Sequence, residues 1–122
     1  MLIYVGNANG NGLVEKEVEG EVYPAAILSA LVQEKVLPEG VSVKEFHISE
    51  GDKSGILNLT GLNTDIGSQE EALFLAAVGN TFTKAFQLDK LRLLVDGQNY
   101  TSGHVEFTDK DYLTYNQDYQ QI

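Results

Sequence analysis

The sequence predicts an α+β domain: two helices packed on one face of a mixed, mostly antiparallel sheet, in the order β-β-α-β-β-α-β-β. Three observations carry this. Apolar residues recur at helical spacing in two stretches, Pro24 to Val36 and Ser68 to Phe86. Pairs of short β-prone runs flank each stretch. Asp96-Gly97, after Leu91-Arg92-Leu93-Leu94-Val95, suits a two-residue hairpin turn. A chain of 122 residues makes one domain. It is expected to bury roughly two-thirds of its unfolded surface without staples.

Leu2-Ile3-Tyr4-Val5 is apolar and β-prone. Gly6 to Gly12 follows as a turn rich in residues that tolerate positive φ. Leu13 to Val18 returns as a strand whose polar residues suit an edge. Pro24 sits at a first helical position, where its missing N–H costs nothing. Ile27, Leu28 and Leu31 share a face, and Pro38 and Gly40 stop the run, so a helix is predicted over 24–36. In Val41 to Ile48 the alternation slips between Val43 and Phe46, and a bulge near Lys44-Glu45 reconciles the two phases. Ile56 to Thr60 returns, with Leu57 and Leu59 toward the core.

Ser68-Gln69-Glu70-Glu71 reads as a capping box, with Glu71 reaching back to the N–H of Ser68. The helix it opens carries Phe74, Leu75, Val78, Phe82, Ala85 and Phe86 in one stripe. Gln69, Asn80 and Lys84 take the opposite side, with Leu73 among them. Gly79 costs about 1 kcal/mol against alanine in a helix, which suggests a close backbone approach. Asn99-Tyr100-Thr101 and Gly103 to Phe107 close the pattern. The expected core is Ile27, Leu31, Leu57, Leu59, Leu75, Val78, Phe82, Leu91, Leu93 and Val95. Residues 1–108 are read as the domain. Residues 109–122 are an acidic, tyrosine-rich tail, either a frayed linker or a short docking helix built on Tyr112, Tyr115 and Tyr119.

Eighteen acids against eight bases give a net charge of −10. Nucleic acid needs a basic footprint, which is missing. Cysteine is absent, so disulfides and thiolate chemistry are excluded. No apolar run is long enough to span a bilayer. The chain starts at once as a strand, so a longer natural chain is expected to carry any anchor.

In this order and spacing, the residues resemble the GerMN domain, the sporulation and spore germination domain of Gram-positive bacteria. Leu2 to Val5 with Leu13-Val14 is similar to its opening hairpin, Tyr23 to Leu31 to its first helix, and Leu37-Pro38-Glu39-Gly40-Val41 to its proline-glycine segment. Val78-Gly79-Asn80-Thr81-Phe82-Thr83 is similar to its Val-x-Asn-Thr-Leu-Thr motif. Leu93 to Gly97 and Gly103-His104-Val105-Glu106-Phe107 are similar to its strand-turn and Gly-His motifs. The resemblance covers residues 2 to 108. Two departures stand out: glycine at position 79, and Gln87-Leu88-Asp89 where the family has Pro-Gly. The resemblance implies a non-enzymatic, extracytoplasmic domain, often joined to a lipoprotein anchor or other envelope domains. Some members are parts of sporulation complexes, and the fold is similar to ring-building modules.

The residues themselves offer little reactive chemistry. His47 and His104 have no second metal ligand at a familiar spacing. No Gly-x-Ser-x-Gly elbow occurs, and Ser54 and Ser102 sit in turn-like contexts. Gly6 to Gly12 lacks the lysine and helix of a phosphate loop. Asp109, Lys110, Asp111 and Asp118 lack the glycine turn of a calcium loop. No catalytic, cofactor-binding or metal residue is assigned. The expected interaction surface is Leu73, Asn80, Thr81, Lys84 and Tyr100, together with exposed sheet edges open to strand addition. The function read from this is an interaction or scaffold domain of the bacterial envelope, with a protein partner or self-association. The alternative is a module for cell-wall glycan or a small molecule, with Tyr100 in an open cleft. A hydrolase would need His47 or His104 beside an acid and a hydroxyl.

Overall fold

The computed structural model describes residues 1–116. Its elements are β1 (Leu2–Gly6), β2 (Leu13–Glu17), α1 (Pro24–Gln33), β3 (Ser42–Ser49), β4 (Ser54–Thr60), α2 (Ser68–Ala85), β5 (Lys90–Val95) and β6 (Gln98–Asn99). This is the α+β class and order that the sequence predicts. β3-β4-β5-β6 form one sheet, antiparallel except for the parallel pair β4–β5. A parallel pair needs a long crossover, and α2 supplies it. β1 and β2 stand apart as a two-stranded antiparallel sheet.

Local chemistry accounts for the joints. β3 carries the expected irregularity between Val43 and Glu45, which brings Val43 opposite Leu59 and Phe46 opposite Leu57. Asp96 and Gly97 both have positive φ (51° and 80°), as a type I′ hairpin turn requires. Each helix ends in a left-handed residue, Lys35 at φ 64° and Gln87 at φ 57°. The next N–H then reaches back into the last turn, from Val36 to Leu31 O (2.9 Å) and from Leu88 to Thr83 O (2.8 Å). The first helix therefore closes three residues before Val36, and its stop does not depend on Pro38. Gln87 makes the corresponding stop for α2.

Both helices bury their stripes in one cluster with Leu57, Leu59, Leu91 and Leu93. Eight of the ten expected core residues are buried, and Leu75 and Val95 are partly buried against the cluster. The same cluster takes Ile3 and Val5 from β1 and Tyr100 from the chain after β6. Tyr4 and Leu13 pack on the other side of the hairpin with Ala77, flanked by Leu73 and Ala76. Helix α2 is thus covered on two faces. One meets the large sheet, and the other meets the opening hairpin.

The last described segment also lies against the body. Leu113 bridges Leu91 with two 2.7 Å backbone bonds, continuing the row that β6 starts along β5. Residues 109–116 hold no helix, so the docking-helix reading does not apply to them. Asp118 and Tyr119 lie outside the described residues. The Gly103–Phe107 stretch is not a full strand. It is the far arm of a tight turn, with an isolated bridge between Thr101 and Glu106.

Candidate functional site

Glu71 is the centre of the polar structure. It sits in the first turn of α2, where the helix dipole favours an acid. Yet it caps nothing: the N-cap is Gly67, with no side-chain cap bond, and Ser68 is already helical. The expected capping box is therefore absent. Glu71 lies three residues before Phe74 and seven before Val78, on the apolar stripe, and that geometry turns it inward to 1% exposure.

Three side chains from the turn after β6 meet it. The Tyr100 hydroxyl makes a short bond to Oε2. The Ser102 hydroxyl stands close enough to the same carboxylate to favour its charged form. The Nδ1 atom of His104 stands 3.4 Å from Oε1. Tyr100 is fixed by backbone bonds to Leu93 O (3.2 Å) and from the Phe107 N–H (2.9 Å), with its ring edge-on to Phe74 at 5.8 Å. Burial by itself would raise the Glu71 carboxyl. The Ser102 and Tyr100 hydroxyls and the adjacent imidazole together outweigh it and hold the carboxyl below its ordinary range. Burial, and then the Glu71 carboxylate, push the Tyr100 phenol well above its ordinary value.

This arrangement puts acid, hydroxyl and imidazole together, but in the wrong order for a nucleophile. A triad places the imidazole between hydroxyl and acid. Here the carboxylate is in the middle. The Ser102 oxygen also accepts the N–H groups of His104 and Val105 at 3.1 Å each, so it serves as the brace of a turn. A shallow groove opens beside the cluster, lined by Ala72, Leu75, His104, Phe107, Tyr112 and Leu113 among others.

Three of the five expected interaction residues do not lie on an open face. Asn80, Thr81 and Tyr100 are buried at 0%, 1% and 0% exposure, which corrects the reading of them as a solvent-facing surface. The Thr81 hydroxyl accepts the Tyr4 N–H at 3.1 Å. The Asn80 amide donates to Asn116 O (3.1 Å) and accepts from its N–H (2.7 Å), in the manner of a strand neighbour. Lys84 is half exposed, 3.8 Å from Glu15. Leu73 is half-buried and lines a second groove with Val36, Leu37 and Ile66. Because Tyr100 is buried, it lines no open cleft.

The other candidates have plain structural settings. His47 is exposed and lies 3.0 Å from Glu45. Ser54 donates to Asp52 at 2.7 Å within a turn. In the Gly6–Gly12 loop the Asn7 side chain accepts the N–H groups of Asn9 and Asn11 at 3.1 Å each, so those amides are not free to cradle phosphate. Asp111 accepts the N–H and hydroxyl of Thr108, and Asp109 binds Arg92 at 2.8 Å. Among the described residues, no group of three or more His, Cys, Asp or Glu is placed to hold a metal.

Fold and cluster together define a two-helix α+β domain whose polar centre braces the structure. The chain belongs to the sporulation and spore germination family, called Germane, whose model matches residues 2–101. Its structure is similar to the first GerMN domain of the sporulation protein GerM from Bacillus subtilis, with a TM-score of 0.69. Identity there is 18%, over 93% of this chain and 97% of that one. It is also similar to a protein of Clostridium perfringens described as a candidate lipoprotein, with a TM-score of 0.54. In that case identity is 20%, over 95% of this chain and 92% of the other. At such identities the likeness is one of fold. No curated protein matches the chain.

Proposed function

We propose that this chain is a non-enzymatic interaction domain of a bacterial cell-envelope protein, acting in sporulation or spore germination. One observation carries the reading: the acid–imidazole–hydroxyl cluster around Glu71 is spent on holding the turn after β6 to α2. Strand edges, by contrast, stay open on β2 and β3. Family membership supports the biological setting, and the two structural relatives, a sporulation protein and a candidate lipoprotein, support the envelope location. No helix among the described residues is long and apolar enough to cross a membrane, so an anchor would come from elsewhere in the protein.

The test is site-specific photo-cross-linking in sporulating cells, scanning residues along β2 and β3 and control sites in the loop around Asn63. A discrete protein adduct confined to a strand edge supports the reading. Cross-linking nowhere above the controls overturns it. Light scattering across concentration separates self-association from a different partner.

A second reading has one favouring observation, the aromatic rim of Phe107 and Tyr112 beside His104. Such a groove suits a glycan or small envelope ligand. Co-sedimentation with purified wall fragments, lost in Tyr112→Ala, is its test.

A further inference from the structure

The two edges of the β1–β2 hairpin differ. In an antiparallel pair, residues that exchange backbone bonds turn their N–H and C=O inward, and the residues between them turn theirs outward. Bonds from the Asn7 N–H to Gly12 O (2.9 Å) and from the Val18 N–H to Met1 O (2.8 Å) set the phase. In the observed register Ile3–Lys16 and Val5–Val14 are then inward pairs. The outward groups belong to Leu2, Tyr4 and Gly6 on β1, and to Leu13, Glu15 and Glu17 on β2. Thr81 closes the β1 edge at Tyr4. On β2, the outward backbone groups meet no backbone partner among the described residues.

Charge adds a second observation. Glu15, Glu17, Glu19 and Glu21 recur at alternate positions, and all are exposed. Lys16 is the one base in that run, and Glu34 already holds its Nζ at 2.7 Å; Lys84 at 3.8 Å from Glu15 and the Met1 amine at 3.4 Å from Glu17 offset only part of the acidic run. Val14, on the opposite side of the strand from Glu15, is 41% exposed.

We propose that the β2 edge is a docking site for an extended basic segment of a partner protein, which adds to the hairpin as a third strand. The proposal rests on the interaction reading above and deepens it. Backbone bonds from Leu13, Glu15 and Glu17 supply affinity, and alternate side chains supply specificity. Lys or Arg at alternate positions of the partner faces Glu15 and Glu17, and an apolar residue covers Val14. A second copy of this chain is a poor occupant. Antiparallel β2–β2 pairing sets glutamates against glutamates, which destabilises the pair, and the chains each carry a net charge of −10. β3 is the poorer edge, because its bulge interrupts the row of backbone groups.

The probe is an end-capped peptide of alternating Lys and Val, with an alternating Glu and Val peptide as control, added to the full chain. Amide hydrogen exchange is read by NMR. At saturation with the Lys–Val peptide, the outward amides of Glu15 and Glu17 slow by about tenfold or more, while the inward amide of Lys16 keeps its rate. Glu17→Gln and, separately, Glu15→Gln weaken binding by about threefold to tenfold with the fold unchanged by circular dichroism. Absence of binding, equal binding of the Glu–Val peptide, or binding that leaves both outward amides at their free rates overturns the proposal. Protein cross-links confined to β3 would also overturn it while the interaction reading stands. Cross-links nowhere would remove both.

Discussion

The backbone N–H of Tyr4 donates to the Thr81 hydroxyl at 3.1 Å, joining the opening hairpin to the middle of α2 across 77 residues of sequence. Both residues are essentially fully buried. A buried backbone donor left without an acceptor costs about 1–3 kcal/mol. Thr81→Val keeps the shape and removes the acceptor, so it should destabilise by that amount in urea titration. Thr81→Ser keeps the oxygen and should lose less. Equal losses in the two variants would show that the methyl group, not the bond, matters.

Glu71 gives the chain a pH signature. Its carboxyl titrates below the ordinary 4.5 in the folded chain, so the unfolded chain takes the proton first. The stabilisation is therefore complete above pH 4.5 and is lost as pH falls through the folded value. Tyr100 is raised from 10.0, so its contribution is complete below pH 10 and is lost as pH rises beyond it. Asp52 and Asp111 are also lowered, so the comparison with Glu71→Gln isolates one group. The variant should show a smaller fall in urea midpoint between about pH 6 and about pH 3 than the native chain. Parallel falls would exclude Glu71 as the source.

Glu71→Ala should be worse than Glu71→Gln. It leaves the Tyr100 phenol buried with no acceptor, at about 1–3 kcal/mol, whereas the glutamine oxygen can still receive it. Thermal unfolding of both variants near neutral pH measures the difference.

Gly79 meets the C-terminal segment. An added Cβ would lie 3.1 Å from Leu113 Cβ and 3.5 Å from Thr114 O. Alanine favours the helix by about 1 kcal/mol, while the tight contact pushes Leu113 away. Gly79→Ala should therefore speed hydrogen exchange at the Leu91 and Leu113 amides, which bond each other's carbonyls, with little change in global stability. Gly79→Leu should release the segment altogether. Unchanged exchange in both would contradict the packing.

Phe82 is fully buried and faces Phe46 at 5.8 Å between ring centroids. Phe82→Ala should cost about 3–5 kcal/mol, and a loss below about 1 kcal/mol in urea would contradict its place in the core.

Much of the fold is legible in local pattern. The bulge in β3 shows as a slipped alternation, because sheet faces repeat every two residues. The Asp96-Gly97 turn shows because few residues accept two successive positive φ values. The close approach at Gly79 shows as a helix-weakening residue kept inside a helix. The polar side of α2 misleads for a physical reason. Asn80 and Thr81 look solvated, but a buried polar side chain is tolerated once its bonds are met, and here their partners are the backbones of Asn116 and Tyr4. Glu71 misleads in the opposite way. Its spacing after Ser68 fits a capping box, while its place on the apolar stripe was the sign of burial.

Sequence alone determined the class, the order of strands and helices and the stripe on each helix, because these follow from spacing, turn residues and composition within a few positions. Tertiary structure decided where the opening hairpin lies, which polar residues go inside and which strand edge stays open. Each of those depends on partners dozens of residues away, and a side chain's environment is set by what the folded chain brings against it.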